Sequence, residues 1–144
     1  MADHDDQFQH WLMDMDEAIA RFLATMPEAD ARKLDFSAES LKAIEAFALR
    51  AYASIDALKQ PSESVAVDAM ARYVGETFRR HLGGSWFIDF SDPKNAFYGL
   101  PQLKGMRGQT AQICPMTLAS ASTDRRKGDF IHTVFRNIEK RSTN

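Results

Sequence analysis

Between residues 72 and 90 this sequence changes its hydrophobic period, and few folds accommodate that change. From Arg72 to Leu82 the apolar residues recur three and four apart, as in an amphipathic helix. Gly83 and Gly84 interrupt the pattern. Trp86 then opens an alternating aromatic run, Ser85 to Phe90, with the period of a strand. A glycine at 83 can take the left-handed backbone that ends many helices. A helix that stops and becomes a strand at once makes the chain α+β. Its 144 residues are close to the commonest domain size, so 1–144 reads as a single α+β domain, mainly helical.

Upstream of that joint, helical spacing dominates. Phe8, Trp11, Leu12, Met15, Ile19, Phe22, Leu23 and Met26 share one stripe, which predicts a first helix over 5–26. Residues 27–36 read as a polar connection. Ser37 can accept a backbone N–H in the first turn of a second helix over 37–59, whose seam is Leu41, Ile44, Ala48, Ala51, Ile55 and Leu58. Pro61 suits the first turn of a third helix over 61–82, striped by Val67, Met70, Val74 and Phe78. Arg72, Glu76 and Arg80 are four apart on it, which predicts two ion pairs. Gly75 costs roughly 1 kcal/mol there relative to alanine, and close approach of another backbone is the expected compensation.

Downstream, the turn-forming run 91–95 separates Ser85–Phe90 from Ala96–Leu100 and predicts a β-hairpin near 85–100. Residues 102–108 read as a loop. Gln109–Cys114 reads as a third strand of a small antiparallel sheet, and Met116–Ala121 as a short helical turn. Asp124 is placed to cap a C-terminal helix striped by Phe130, Ile131, Val134, Phe135 and Ile138.

No apolar run is long enough for a membrane helix. The acidic amino terminus lacks the basic and apolar regions of a secretory signal. The single cysteine, Cys114, has no partner for an internal disulfide, so a reducing cytoplasm is the expected location. Charge is unevenly spread. Residues 1–70 hold 14 Asp/Glu against 6 Lys/Arg, and residues 71–144 hold 6 against 12. Either the two halves attract each other within the fold, or they form opposite faces, one of which steers a partner.

Motifs for chemistry are scarce. Cys114 stands at a strand end with no histidine spaced to serve as its base, so it reads as a small buried hydrophobe. His4, His10, His81 and His132 lack the short spacing of a zinc site. Glu76 and Asp89 form a carboxylate pair only if helix and strand pack suitably. Gly83-Gly84 ends a helix, whereas a phosphate loop precedes one. No catalytic residue, metal site or cofactor is therefore expected. The basic runs Arg79-Arg80-His81 and Arg125-Arg126-Lys127 fit no nucleic-acid module, and an acidic protein partner suits them better.

The hairpin concentrates aromatic residues. Trp86, Ile88 and Phe90 alternate with Phe87 and Asp89, so one face packs on the helices while Phe87 has Phe97 or Tyr98 as cross-strand neighbour. The second face is either further core or a recognition surface. On the second reading Trp86, Phe87, Phe97 and Tyr98, flanked by Lys104 and Arg107, form the partner-binding set.

The segment containing Tyr73, Gly75, Glu76, Gly83-Gly84 and Trp86 resembles a pattern in small, mostly uncharacterised bacterial proteins. In these a helix bearing Tyr-x-Gly-Glu leads through a glycine pair to a Trp-initiated strand. The resemblance covers residues 72–100 and carries over no catalytic residue. Some such proteins resemble immunity-type proteins, which implies a non-enzymatic binding protein that neutralises a toxin encoded nearby by blocking its surface. Two other classes stand beside it: a small enzyme or ligand-binding protein with a pocket between the sheet and helix 61–82, and a regulatory or nucleic-acid adaptor using the basic C-terminal half.

Overall fold

Every residue from Ala69 to Phe78 is buried, so the middle of the helix that carries them is covered on all sides rather than along one stripe. In the computed structural model, which describes residues 4–109 and 112–143, this helix is α6 (Ser64–Leu82). Before it come α1 (His4–Met13), α2 (Met15–Ala24), α3 (Glu28–Ala31), α4 (Ser40–Ala51), α5 (Ile55–Leu58) and a 3₁₀ turn over Pro61–Glu63. After it come β1 (Ser85–Phe87), β2 (Gln102–Lys104), α7 (Pro115–Arg125) and α8 (Phe130–Ser142). α2, α4, α7 and β2 pack on α6, while α7 and α8 also cover α4. Tyr73, Phe78, Phe135, Leu41 and Met70 occupy the centre of the core. The chain is thus mostly helical α+β, with one two-stranded antiparallel sheet among the described residues.

The expected helix over 5–26 is two helices. Asp14, at φ −87° and ψ 6°, breaks it. The Arg72 guanidinium, on α6, donates to the Trp11 carbonyl in the last turn of α1 at 2.7 Å, and the Asp14 carboxylate accepts from Arg21 at 2.7 Å. Side chains thus supply partners at the break. The connection over 27–36 contains the short helix α3.

The second helix is also shorter than expected. Ser37 does accept the Ser40 N–H, at 3.2 Å, but the chain turns extended at Tyr52 and restarts as α5, capped by Ser54. The guanidinium of Arg126 takes the carbonyls of Leu49 and Tyr52, at 2.8 and 2.9 Å. These are end-of-helix carbonyls that otherwise lack partners. Leu41, Ile44, Ala48 and Leu58 of the seam are buried, whereas Ala51 is exposed.

α6 ends where the glycine predicts. Gly83 has φ +79°, and its N–H bonds the Arg79 carbonyl at 2.8 Å. Gly75 does face a close neighbour, but that neighbour is the Trp86 ring rather than a backbone. The ion pairs differ as well. Arg72 pairs with Asp68, Glu76 pairs with Arg79, and Arg80 stacks on Phe36.

The hairpin near 85–100 does not form. β1 pairs instead with β2, with Trp86 opposite Leu103. Asp89, Asp92 and Asn95 explain this. Their side-chain oxygens accept the N–H groups of Ser91, Lys94 and Phe97 at 2.7–2.9 Å, so groups that a ladder would need are satisfied locally. The expected loop over 102–108 therefore supplies a strand. Of the expected strand at 109–114, residues 110 and 111 lie outside the described residues, and Ile113 bridges Leu103. The short helical turn at 116–121 is the full helix α7, begun by Pro115. Asp124 lies inside it and caps nothing. α8 begins instead where the buried Glu45 carboxylate, on α4, accepts the N–H groups of Phe130 and Ile131 at 3.2 and 2.9 Å.

Candidate partner-binding surface

α6 and α8 both end in cations, which the negative pole of a helix favours. The turn after β2 joins these two ends. Arg107 donates its backbone N–H to the Leu82 carbonyl at 2.9 Å, and its guanidinium to the carbonyl of His81. Arg141, on α8, donates to the Gly108 carbonyl at 2.7 Å. Arg80 lies 3.6 Å above the Phe36 ring, and the Lys104 ammonium 4.9 Å from the centre of the Phe87 ring. Arg80, Lys104, Arg107 and Arg141 are all exposed.

These four cations share a further property. Each is held by carbonyls or an aromatic face, and none forms an ion pair with a carboxylate among the described residues. Arg125, over the Phe130 ring, and Arg126, on the carbonyls of Leu49 and Tyr52, share it, whereas Arg21, Arg32, Arg50, Arg72, Arg79 and Arg136 are paired to acids. The nearby carboxylates Glu76 and Glu139 are taken by Arg79 and Arg136, and Asp35 is occupied by the Ser37 N–H. Hydrogen bonding from the Ser37 side chain, and next from its N–H, holds the Asp35 carboxyl below its ordinary range. The four cations therefore face solvent without an ion-paired carboxylate among the described residues.

The six residues expected to bind a partner separate into three groups. Trp86 is packed into the core, over Gly75 and edge-on to Trp11 at 4.9 Å. Lys104 of β2 lies over the ring of Phe87 of β1, and Arg107, in the turn after β2, bonds to the end of α6. Phe97 and Tyr98 sit half-buried in the 88–101 loop, where Tyr98 meets Phe90 edge-on. Phe87, Lys104 and Arg107 thus adjoin the basic pole, while Phe97 and Tyr98 belong to a separate loop. Sequence reading assigns Arg141 to the basic end of the last helix but not to the partner-binding set, because its place in the pole depends on how α8 packs.

Several depressions border α6. A groove of about 620 Å³ runs between α2 and α6, lined by Ala18, Phe22, Val65, Ala66, Ala69 and Arg72, among others. A smaller cleft, about 290 Å³, lies between β1, α6 and the α1–α2 joint. It is lined by Leu12, Met15, Glu76, Arg79, Gly84, Ser85 and Trp86. The Trp86 indole N–H is buried without a hydrogen-bond partner among the described residues.

Cys114 is buried. Asp89 bonds Ser91 rather than Glu76, and hydrogen bonding from the Ser91 side chain, then from its N–H, lowers its pKa. Among the described residues, no group of three or more His, Cys, Asp or Glu side chains is placed to hold a metal ion, and no helix is long and apolar enough to cross a membrane. Comparison of the chain with protein-family models, curated proteins and solved structures finds no match in any of the three.

Proposed function

We propose that this is a non-enzymatic protein-binding protein that covers an acidic surface of its partner, in the manner of an immunity protein that neutralises a toxin encoded nearby. The observation that supports this is the absence, among the described residues, of ion-paired carboxylates on Arg80, Lys104, Arg107 and Arg141. A cation already paired with a carboxylate offers little to a partner. One held by carbonyls or ring faces keeps its charge and is already oriented. Such groups act mainly on the association rate and on the choice of partner. Phe87 adds contact area beneath Lys104.

The test is binding to the purified product of the adjacent gene. Lys104→Glu and Arg80→Glu should slow association, and the loss should shrink at high salt. Circular dichroism first confirms that both variants fold. If neither variant changes association at low salt, the basic pole is not the interface.

A second reading, ligand binding, is supported by the cleft between β1 and α6, which Trp86 and the Glu76–Arg79 pair line. A screen of small polar compounds by thermal shift, with Arg79→Ala as control, tests it. No stabilising compound, or equal stabilisation of Arg79→Ala, would count against a ligand at this cleft.

A further inference from the structure

We infer that the groove between α2 and α6 is a second docking site, which takes an uncharged, apolar peptide segment of the partner and holds one of its backbone carbonyls through Arg72. This rests on the protein-binding reading above. The walls suit such a segment. Ala18 on α2 and Ala66 and Ala69 on α6 are small, so a chain can come close to both helices, and Phe22 supplies apolar area. Val65, at the lip, is 81% exposed, although the valines at 67 and 74 of the same helix are buried.

Arg72 supplies the polar anchor. It is only 4% exposed, yet it lines the groove. Its Nε donates to Asp68 and its Nη1 to the Trp11 carbonyl, both at 2.7 Å. Its Nη2 has no hydrogen-bond partner among the described residues, although a guanidinium has five N–H donors to place. The charges of the groove are already balanced. Asp68 pairs with Arg72 and Asp14 with Arg21, each at 2.7 Å. A charged ligand would upset that balance, whereas a peptide carbonyl takes a spare N–H and adds no charge. Asp14 and Thr25 lie at the two ends of the α2 wall. At 1.5 Å per residue that wall is about 16 Å long, which matches about five residues of extended chain.

The groove and the basic pole thus ask for different chemistry, so one partner can use both and gain avidity. The probe is a phage-displayed library of random short peptides, selected on the whole protein. The winners are resynthesised with blocked ends and measured by fluorescence polarisation. Winners should be apolar and uncharged. Val65→Glu and Ala66→Phe should each weaken them roughly tenfold or more, about 1.4 kcal/mol, while Lys104→Glu and added salt leave them unchanged. Three results would overturn the inference: no winners, winners unaffected by both groove variants, or Asp/Glu-rich winners lost with Lys104→Glu. The last would leave protein binding at the basic pole standing while removing the groove from it. Circular dichroism and melting curves establish that each variant is folded before its binding is read.

Discussion

Gly75 lies directly beneath the indole of Trp86: a Cβ built on Gly75 would sit 2.1 Å from the ring's Cη2 and 3.1 Å from Cγ of Pro115. The glycine therefore makes room for the residue that couples β1 to α6. Gly75→Ala should gain about 1 kcal/mol of helix propensity but must displace the ring, and overpacking of this kind costs about 1–3 kcal/mol. The expected net outcome is a lower melting temperature together with a change in tryptophan emission. An equal or higher melting temperature would show that the ring moves freely.

Glu45 is a buried carboxylate that serves another helix. Glu45→Ala should leave the Phe130 and Ile131 N–H groups without their acceptor, at a cost of about 1–3 kcal/mol. Hydrogen exchange should rise at those two amides more than elsewhere in α8. Uniform exchange across α8 would argue that the cap contributes nothing.

Phe36 has φ +63°, a conformation that costs a side chain about 1–2 kcal/mol. Its ring stacks on Tyr73 at 4.7 Å, beneath Arg80, and the His81 ring bonds its carbonyl at 2.8 Å. Phe36→Ala should lose the stacking and keep the strain. Phe36→Gly should lose the stacking and relieve the strain, so glycine should be the milder change by about 1 kcal/mol. Denaturant melts of the two variants make the comparison, and alanine equal to glycine would count against strain at this position.

Tyr73 takes part in a relay: the Phe36 N–H donates to its hydroxyl at 2.9 Å, which donates to Ser40 at 2.7 Å, which donates to the Ser37 carbonyl at 2.6 Å. Burial raises its pKa above the ordinary 10.0. Burial, with the bond to Glu63, also raises that of Tyr52. Because the folded values exceed the unfolded one, their contribution is complete below about pH 10 and is lost as pH rises beyond it. Tyr52→Phe and Tyr73→Phe should lose less stability in alkali than the native chain, although Tyr73→Phe should start less stable at neutral pH. Melts across that range check both, and parallel pH curves for variant and native chain would refute the linkage.

What could be read from the sequence was local. Gly83 stops α6 through its own backbone freedom, so two residues sufficed to place that end. The α1–α2 break depends on Arg72, 61 residues from Trp11, and no window along the chain contains both. The hairpin expectation weighed 91–95 as a turn but missed that Asp89, Asp92 and Asn95, three apart, each capture an N–H two residues on. That signal was present in the letters. The same division holds for the candidate surface. Lys104 and Arg107 flank a strand and stood out beside the aromatic residues, whereas Arg141 comes near them only through its bond to Gly108. Val65 fell off the α6 stripe and drew no notice for that reason.

Glu45 also sets an order of events during synthesis. Its acceptors are fully used only when Phe130 and Ile131 arrive, 85 and 86 residues later, and Arg126 reaches the end of α4 across a similar span. Until those residues leave the ribosome, α4 holds a carboxylate that is costly to bury alone. Its neighbours therefore cannot close over it. α4 emerges early but is completed late, so in a nascent chain halted before residue 126 it should remain open to proteases and chaperones.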